Sequence, residues 1–246
     1  MQIREEYAME NRTQGKQSLL NIPAFWKTQQ KPWRITVYRT SMERLAYKMV
    51  LPYLSIYITL MGATKTQLGA VTAVGLFFSA VLGPYLGQRI DREGPKRCYI
   101  FGICIILGAY LCWATAKVWQ VAALGMLLYQ LGNWTSISGC ASICGNCLAS
   151  CDRARGMLIC ESLAAGLLGI VGPMISGWLL VHVMGVSGTP SDPASIRPLF
   201  YISLAISIAS LFLIIFRLED IKWGKAATKK RSILRDTAAI LRADRN

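Results

Sequence analysis

The chain has 246 residues, of which 53% are hydrophobic and only 16% charged, and it carries a formal net charge of +14. A positive mean hydropathy over this length excludes an ordinary soluble domain. The charge does not indicate nucleic acid, because Lys and Arg gather at the two ends and in two short connections and form no single basic face.

Residues 1–41 are polar and basic and contain no apolar run of signal-peptide type, so they read as a cytoplasmic N-terminal segment that leaves insertion to the first helix. Crossing the membrane takes about 20 mostly apolar residues. The first such helix is expected from Met42 to Ala63, with Arg44 and Lys48 near its cytoplasmic end, where long basic side chains snorkel. Tyr53 and Tyr57 share one of its faces through their spacing of four. The second helix is expected from Gln67 to Gly87.

Between this helix and a third, Cys98 to Ala116, the chain reads Gly87-Gln-Arg-Ile-Asp91-Arg92-Glu-Gly94-Pro-Lys96-Arg97. Gly87 and Gly94 allow close backbone approach and a tight reversal. Asp91 supplies a carboxylate that Arg92, an incoming basic residue or a helix N-terminus can hold, which makes a breakable latch. The segment resembles the G-x-L-a-D-R-x-G-R-K signature of the major facilitator superfamily, in the loop where that family carries it. It departs at Arg89, where an apolar residue is usual, and at Pro95, where Arg or Lys is usual. The resemblance implies a six-helix bundle of that family and a cytoplasmic gate formed by Gly87, Asp91, Arg92, Gly94, Lys96 and Arg97, made in one conformation and lost in the other.

The fourth helix is expected from Val118 to Cys140. Its Tyr129-Gln130-Leu131-Gly132 is similar to part of the family's fourth-helix pattern, but no Arg occurs from Val118 to Cys151. A transporter's pocket belongs near the bilayer midplane on the first and fourth helices, so the substrate-pocket candidates are Tyr53, Tyr57, Gln130, Asn133 and Trp134. Interfacial anchoring and interhelix hydrogen bonding compete with that reading for each. Cys140, Cys144, Cys147 and Cys151, spaced four, three and four apart, share a helix face that includes a C-x-x-C. With no histidine or carboxylate partner visible, small-residue packing is the preferred reading and thiol-redox or metal handling the alternative. None of the eight cysteines falls in an expected exofacial loop, and no disulfide framework, resident metal or cofactor is expected.

The fifth helix, Met157 to Gly185, contains Gly172-Pro173-Met-Ile-Ser176-Gly177, which resembles the G-P-x-x-G-G core of exporters in this superfamily, with Ser176 in place of one glycine. Proline bends the helix, and Gly166, Gly169, Gly172, Ser176 and Gly177 leave room for neighbours, so Gly172, Pro173, Ser176 and Gly177 form a candidate hinge. Glu161, about one turn into this helix, is a candidate gate or proton site, complementing the helix dipole or pairing with Arg155. The sixth helix is expected from Pro198 to Phe216.

With both termini inside, 24 of the 27 Lys and Arg residues face the cytoplasm and only Lys65, Lys117 and Arg197 face out, which sets the topology. Residues 42–218 thus form a six-helix transmembrane bundle, and residues 219–246 a basic cytoplasmic tail resembling the family's central linker. The expected activity is secondary transport of a small solute by alternating access, with export preferred. A coupling ion and a non-transporting membrane scaffold stay open. No nucleophile, histidine and carboxylate set suits an enzyme. Because the resemblance covers one half of a two-half family, a second six-helix half is expected from a longer record, a separate partner or a dimer.

Overall fold

A chain this apolar must satisfy its backbone hydrogen bonds within each segment, and among the described residues it does so with helices joined by short turns. The structure is a computed structural model that describes residues 22–149, 152–185, 190 and 192–219. A short helix α1 (Ile22–Thr28) leads into α2 (Lys31–Leu60), α3 (Lys65–Glu93), α4 (Pro95–Thr115) and α5 (Trp119–Cys147). A one-turn helix α6 (Arg153–Met157) passes through a π-helical stretch, Leu158–Leu163, into α7 (Ala164–His182), and α8 (Arg197–Arg217) closes the described part. Cys151 and the tail 220–246 lie outside the described residues.

Helix boundaries differ from the sequence expectation where polar residues extend a helix. α2 starts at Lys31 and not near Met42, because Pro32 suits a helix start and Trp33 and Val37 are buried there. α5 runs to Cys147, past the expected Cys140, because Ile143, Cys144 and Cys147 remain buried. Between α3 and α4 the expected loop shrinks to one residue. The helix continues through Glu93, and Gly94, with φ 85 and ψ 159, makes the reversal in a backbone region open in practice only to glycine. At the other end, Thr64 and Gln67 cap α3 reciprocally, with Gln67 Oε1 accepting from Thr64 N at 2.9 Å and Thr64 Oγ1 accepting from Gln67 N at 3.2 Å.

Four stretches are long and apolar enough to cross a membrane by length and composition: Lys65–Gly83, Pro95–Thr115, Arg153–His182 and Pro193–Arg217. The two remaining long helices, α2 and α5, are interrupted by charged or amide side chains, and they pack against each other. α4 packs on α5 and α8, α2 on α7 and α8, and α3 on α5. Three glycines seven residues apart on α5 bring it close to α4. A Cβ at Gly132 would stand 2.6 Å from Ile106 Cγ1 and 2.8 Å from the Gly102 carbonyl oxygen. One at Gly125 would meet the Trp113 indole, and one at Gly139 the Tyr99 ring.

Two buried clusters result. One joins Met49–Ile58 of α2, Ile106–Ala114 of α4, Tyr129 of α5 and Leu199 and Phe200 of α8. The other gathers Phe25, Trp33 and Val37 with Tyr99, Cys140, Cys144, Cys160 and Ile214, at the end of the bundle that also carries Lys31, Arg34, Arg97, Arg153 and Arg217.

Candidate functional site

The charged side chains within the bundle meet between the two clusters. A cavity of ≈ 10 Å³, room for about one water molecule, is lined by Arg39, Thr40, Glu43 and Arg44 of α2, Tyr129, Asn133, Ser136 and Cys140 of α5, and Glu161 of the π-helical stretch. Arg39 and Glu43, one helical turn apart, are both buried and form an ion pair, and the Arg39 guanidinium also lies 4.4 Å over the Tyr99 ring. Arg39 Nε and Glu43 Oε1 keep no hydrogen-bond partner among the described residues, so this pair holds unspent bonding capacity beside the cavity.

Glu161 pairs with Arg44 of α2 at 3.2 Å. The expected partner, Arg155, instead places its guanidinium 5.2 Å from the Phe25 ring centre. Arg155 and Glu161 are six residues apart, a separation that in an α-helix already turns two side chains about 120° from each other, and Glu161 faces α2 from the π-helical stretch. Arg44 is thus engaged across the bundle and does not snorkel outward, while Lys48 lies along Gly169 and Gly172 of α7.

Of the five pocket candidates, Asn133 lines the cavity. Gln130 faces α3, where its side chain meets Gly75. Trp134 is exposed. Tyr53 reaches toward Gly177 of α7, its hydroxyl 3.5 Å from where a Cβ there would lie. Tyr57 is fully buried, stacks edge-on against Phe200 and donates to the Trp113 carbonyl at 2.8 Å. The spacing of four that placed both tyrosines on one face therefore divides them between two neighbours, α7 and α8.

In the signature segment, Gly94 is the reversal itself, Pro95 opens α4, Lys96 is half-buried and Arg97 exposed. Arg89, the departure from the usual pattern, lies over the Phe101 ring at 5.6 Å. Gly87, Asp91 and Arg92 belong to the last turns of α3, and their side chains lie outside the described residues. In the hinge segment, a Cβ at Gly172 would stand 2.8 Å from Lys48 Cβ and 3.1 Å from the Lys48 carbonyl carbon. Pro52, four residues beyond Lys48, interrupts α2 as Pro173 interrupts α7. The two helices thus touch where a proline has removed a backbone hydrogen bond from each. Ser176 is buried and donates to the Pro173 carbonyl at 3.0 Å, and a Cβ at Gly177 would be in ordinary contact with the Tyr53 hydroxyl.

Sequence reasoning missed Arg39 with Glu43, although their spacing of four on one helix was a usable signal. It also missed Tyr129 as a cavity wall, and it expected Cys160 at a similar depth to the α5 cysteines but not in contact with them. Nothing local marks a contact between residues 20 apart.

Long apolar helices packed around a charged cavity mark an all-α membrane protein. Residues 40–244 match the Major Facilitator Superfamily, and the chain belongs to that family. It is similar to the Multidrug resistance protein MdtG of Escherichia coli, for example in strain K12 / DH10B and in O1:K1 / APEC, at 26% identity over 205 residues. The alignment takes in 80% of this chain and 46% of each relative, so the chain spans about half the length of the curated relatives it matches.

Proposed function

We propose that the described helices form one six-helix bundle of a secondary transporter that moves a small, drug-like solute by alternating access, in the direction of export, with α2 and α5 spanning the membrane alongside the four more apolar helices. The observation that carries this reading is the charged cavity between α2, α5 and the π-helical stretch, within a family of transporters. Its single-water size requires helices to part before a solute enters, and Arg44–Glu161 and Arg39–Glu43 are the contacts that such a movement would exchange. The name multidrug resistance protein, attached to the similar MdtG, supports both the solute class and the direction.

Within this proposal, residues 42–218 are the bundle, residues 1–41 and the basic tail 219–246 lie on the cytoplasmic face of the plasma membrane, and Asp91 with its neighbours is the gate on that face. Glu161 opens and closes with it or carries a coupling proton, and Gly172–Pro173 is the joint against α2. A second six-helix bundle completes the pathway, from a covalent continuation, a separate chain or a second copy. The exposed apolar faces of α3 (Phe77, Phe78, Tyr85) and α7 (Ile170, Met174, Trp178) are available for it and for lipid.

The test is ethidium accumulation in cells stripped of their own exporters. Producing the chain together with the bundle that completes it should lower steady-state accumulation several-fold, and Asp91→Asn and Glu161→Gln should each return it toward the empty-cell level. Equal accumulation with and without the protein, at verified membrane abundance, would sink the transport reading.

A further inference from the structure

Cys140 and Cys144 lie one turn apart on α5, and the π-helical stretch brings Cys160 onto the same spot, so that the three sulfur atoms all lie within 4.8 Å of one another. All three residues are buried. The Cys140 and Cys160 thiols touch at 2.9 Å, and Cys160 also faces the Thr40 hydroxyl at 3.8 Å. Simple small-residue packing accounts poorly for this arrangement. The glycines that serve close helix contact elsewhere in the bundle bring backbone together, whereas here three polarizable donors from two separate elements converge on one point.

We propose that Cys140, Cys144 and Cys160 bind a single thiophilic d10 cation of the Cu(I) type in a three-sulfur site. The donor set narrows the ion. Thiolates select soft metals, while calcium, magnesium and manganese prefer oxygen. Structural zinc is almost always held by four ligands, and among the described residues the cluster offers no histidine or carboxylate as a fourth. A three-coordinate ion with metal–sulfur bonds of about 2.3 Å sets its sulfurs about 4 Å apart, so the site forms once the 2.9 Å edge opens by about 1 Å through rotation of the Cys160 side chain. Binding replaces thiol protons by the metal, and these leave to solvent. Cys140 also lines the charged cavity, whose wall carries the Arg39–Glu43 pair. The bound ion would tie α5 to the segment leading into α7, beside the Arg44–Glu161 pair. The site stands on its own geometry and does not depend on the transport reading.

The experiment uses the full chain in detergent, kept anaerobic, with Cu(I) supplied in competition with bathocuproine disulfonate. One ion per chain is expected. Cys160→Ala, Cys140→Ala or Cys144→Ala should each weaken binding by more than about tenfold, since loss of even a supporting group beyond the ligands costs about 10–100-fold. Cys104→Ala and Cys112→Ala on α4 should leave it unchanged. X-ray absorption on the unmutated, copper-loaded protein should give a shell of three sulfurs, a measurement independent of whether any variant folds. Unchanged affinity in a folded Cys160→Ala variant, or a shell containing nitrogen or oxygen, would overturn the site.

Discussion

The two ends of the bundle both bury large aromatic residues, yet they satisfy polar atoms by opposite means. At the end built around Tyr57, Trp113 and Phe200, side-chain donors bond to backbone carbonyls of neighbouring helices. Tyr57 donates to the Trp113 carbonyl at 2.8 Å, Trp113 Nε1 to that of Ala122 at 2.9 Å and Arg197 to that of Ala116 at 2.7 Å. At the basic end, besides local bonds to carbonyls such as Thr36 to Pro32 at 2.9 Å, charged and thiol side chains meet one another: Arg39 with Glu43, Arg44 with Glu161, and cysteine with cysteine. A carbonyl held in a helix cannot turn away, whereas a carboxylate or a thiol changes partner by rotating a side chain. The difference marks the aromatic end as a fixed joint and the basic end as the part able to rearrange.

The strongest challenge to that contrast is Glu43→Ala. Stranding the buried Arg39 charge should cost about 3–5 kcal/mol, read as a large fall in the thermal midpoint of the detergent-solubilised protein, and Arg39→Met combined with Glu43→Leu should recover most of it. If the single change is silent, the pair is not buried as described and the contrast fails.

Next in size is Gly132→Ala, which should destabilise by about 1–3 kcal/mol in the same assay, because its methyl group meets the Gly102 carbonyl and helix backbone cannot yield as a side chain can. Gly83→Ala on α3, with nothing within 4 Å, serves as the neutral control.

Trp113→Phe removes the donor to Ala122 and should cost about 1 kcal/mol, with lost edge-on packing against Tyr110 adding to it. It sharpens the comparison because its effect on stability should exceed its effect on ethidium accumulation. The smallest stability change is expected for Glu161→Gln, at about 0.5 kcal/mol, since the carboxylate is 40% exposed and water screens such a pair. There the order should reverse, with accumulation affected more than the midpoint. A Glu161→Gln variant that loses stability but keeps low accumulation would assign the Arg44 pair to the fixed part of the bundle.

Much of this was legible along the chain. Apolar runs located every long helix, α4 and α8 to within a few residues and α2 with a start eleven residues late, and Gly94 in the signature segment announced the reversal that its positive φ provides. Where the reading of side-chain contacts fell short, the missing quantity was the rotation of one helix against another. Tyr53 and Tyr57 lie on one face of α2, but which neighbour each meets depends on how α7 and α8 pack there. Arg155 is nearer Glu161 in sequence than Arg44 is, yet the carboxylate pairs across the bundle with Arg44 of α2. The start of α2 was placed too late because hydropathy responds to lipid and not to burial inside protein, and Trp33 is buried among side chains.

Sequence by itself determined that this is an all-α membrane protein, because hydrocarbon length, local charge and turn chemistry are properties of contiguous residues, and its signature segment carried the resemblance to the Major Facilitator Superfamily that the family match bears out. Only the tertiary structure decided that Arg39, Glu43, Arg44 and Glu161 surround one cavity and that Cys160 joins Cys140 and Cys144. Those contacts cross between helices, and their register is set by close packing at glycines and by one widened turn, whose effect is felt only when the helices are in place.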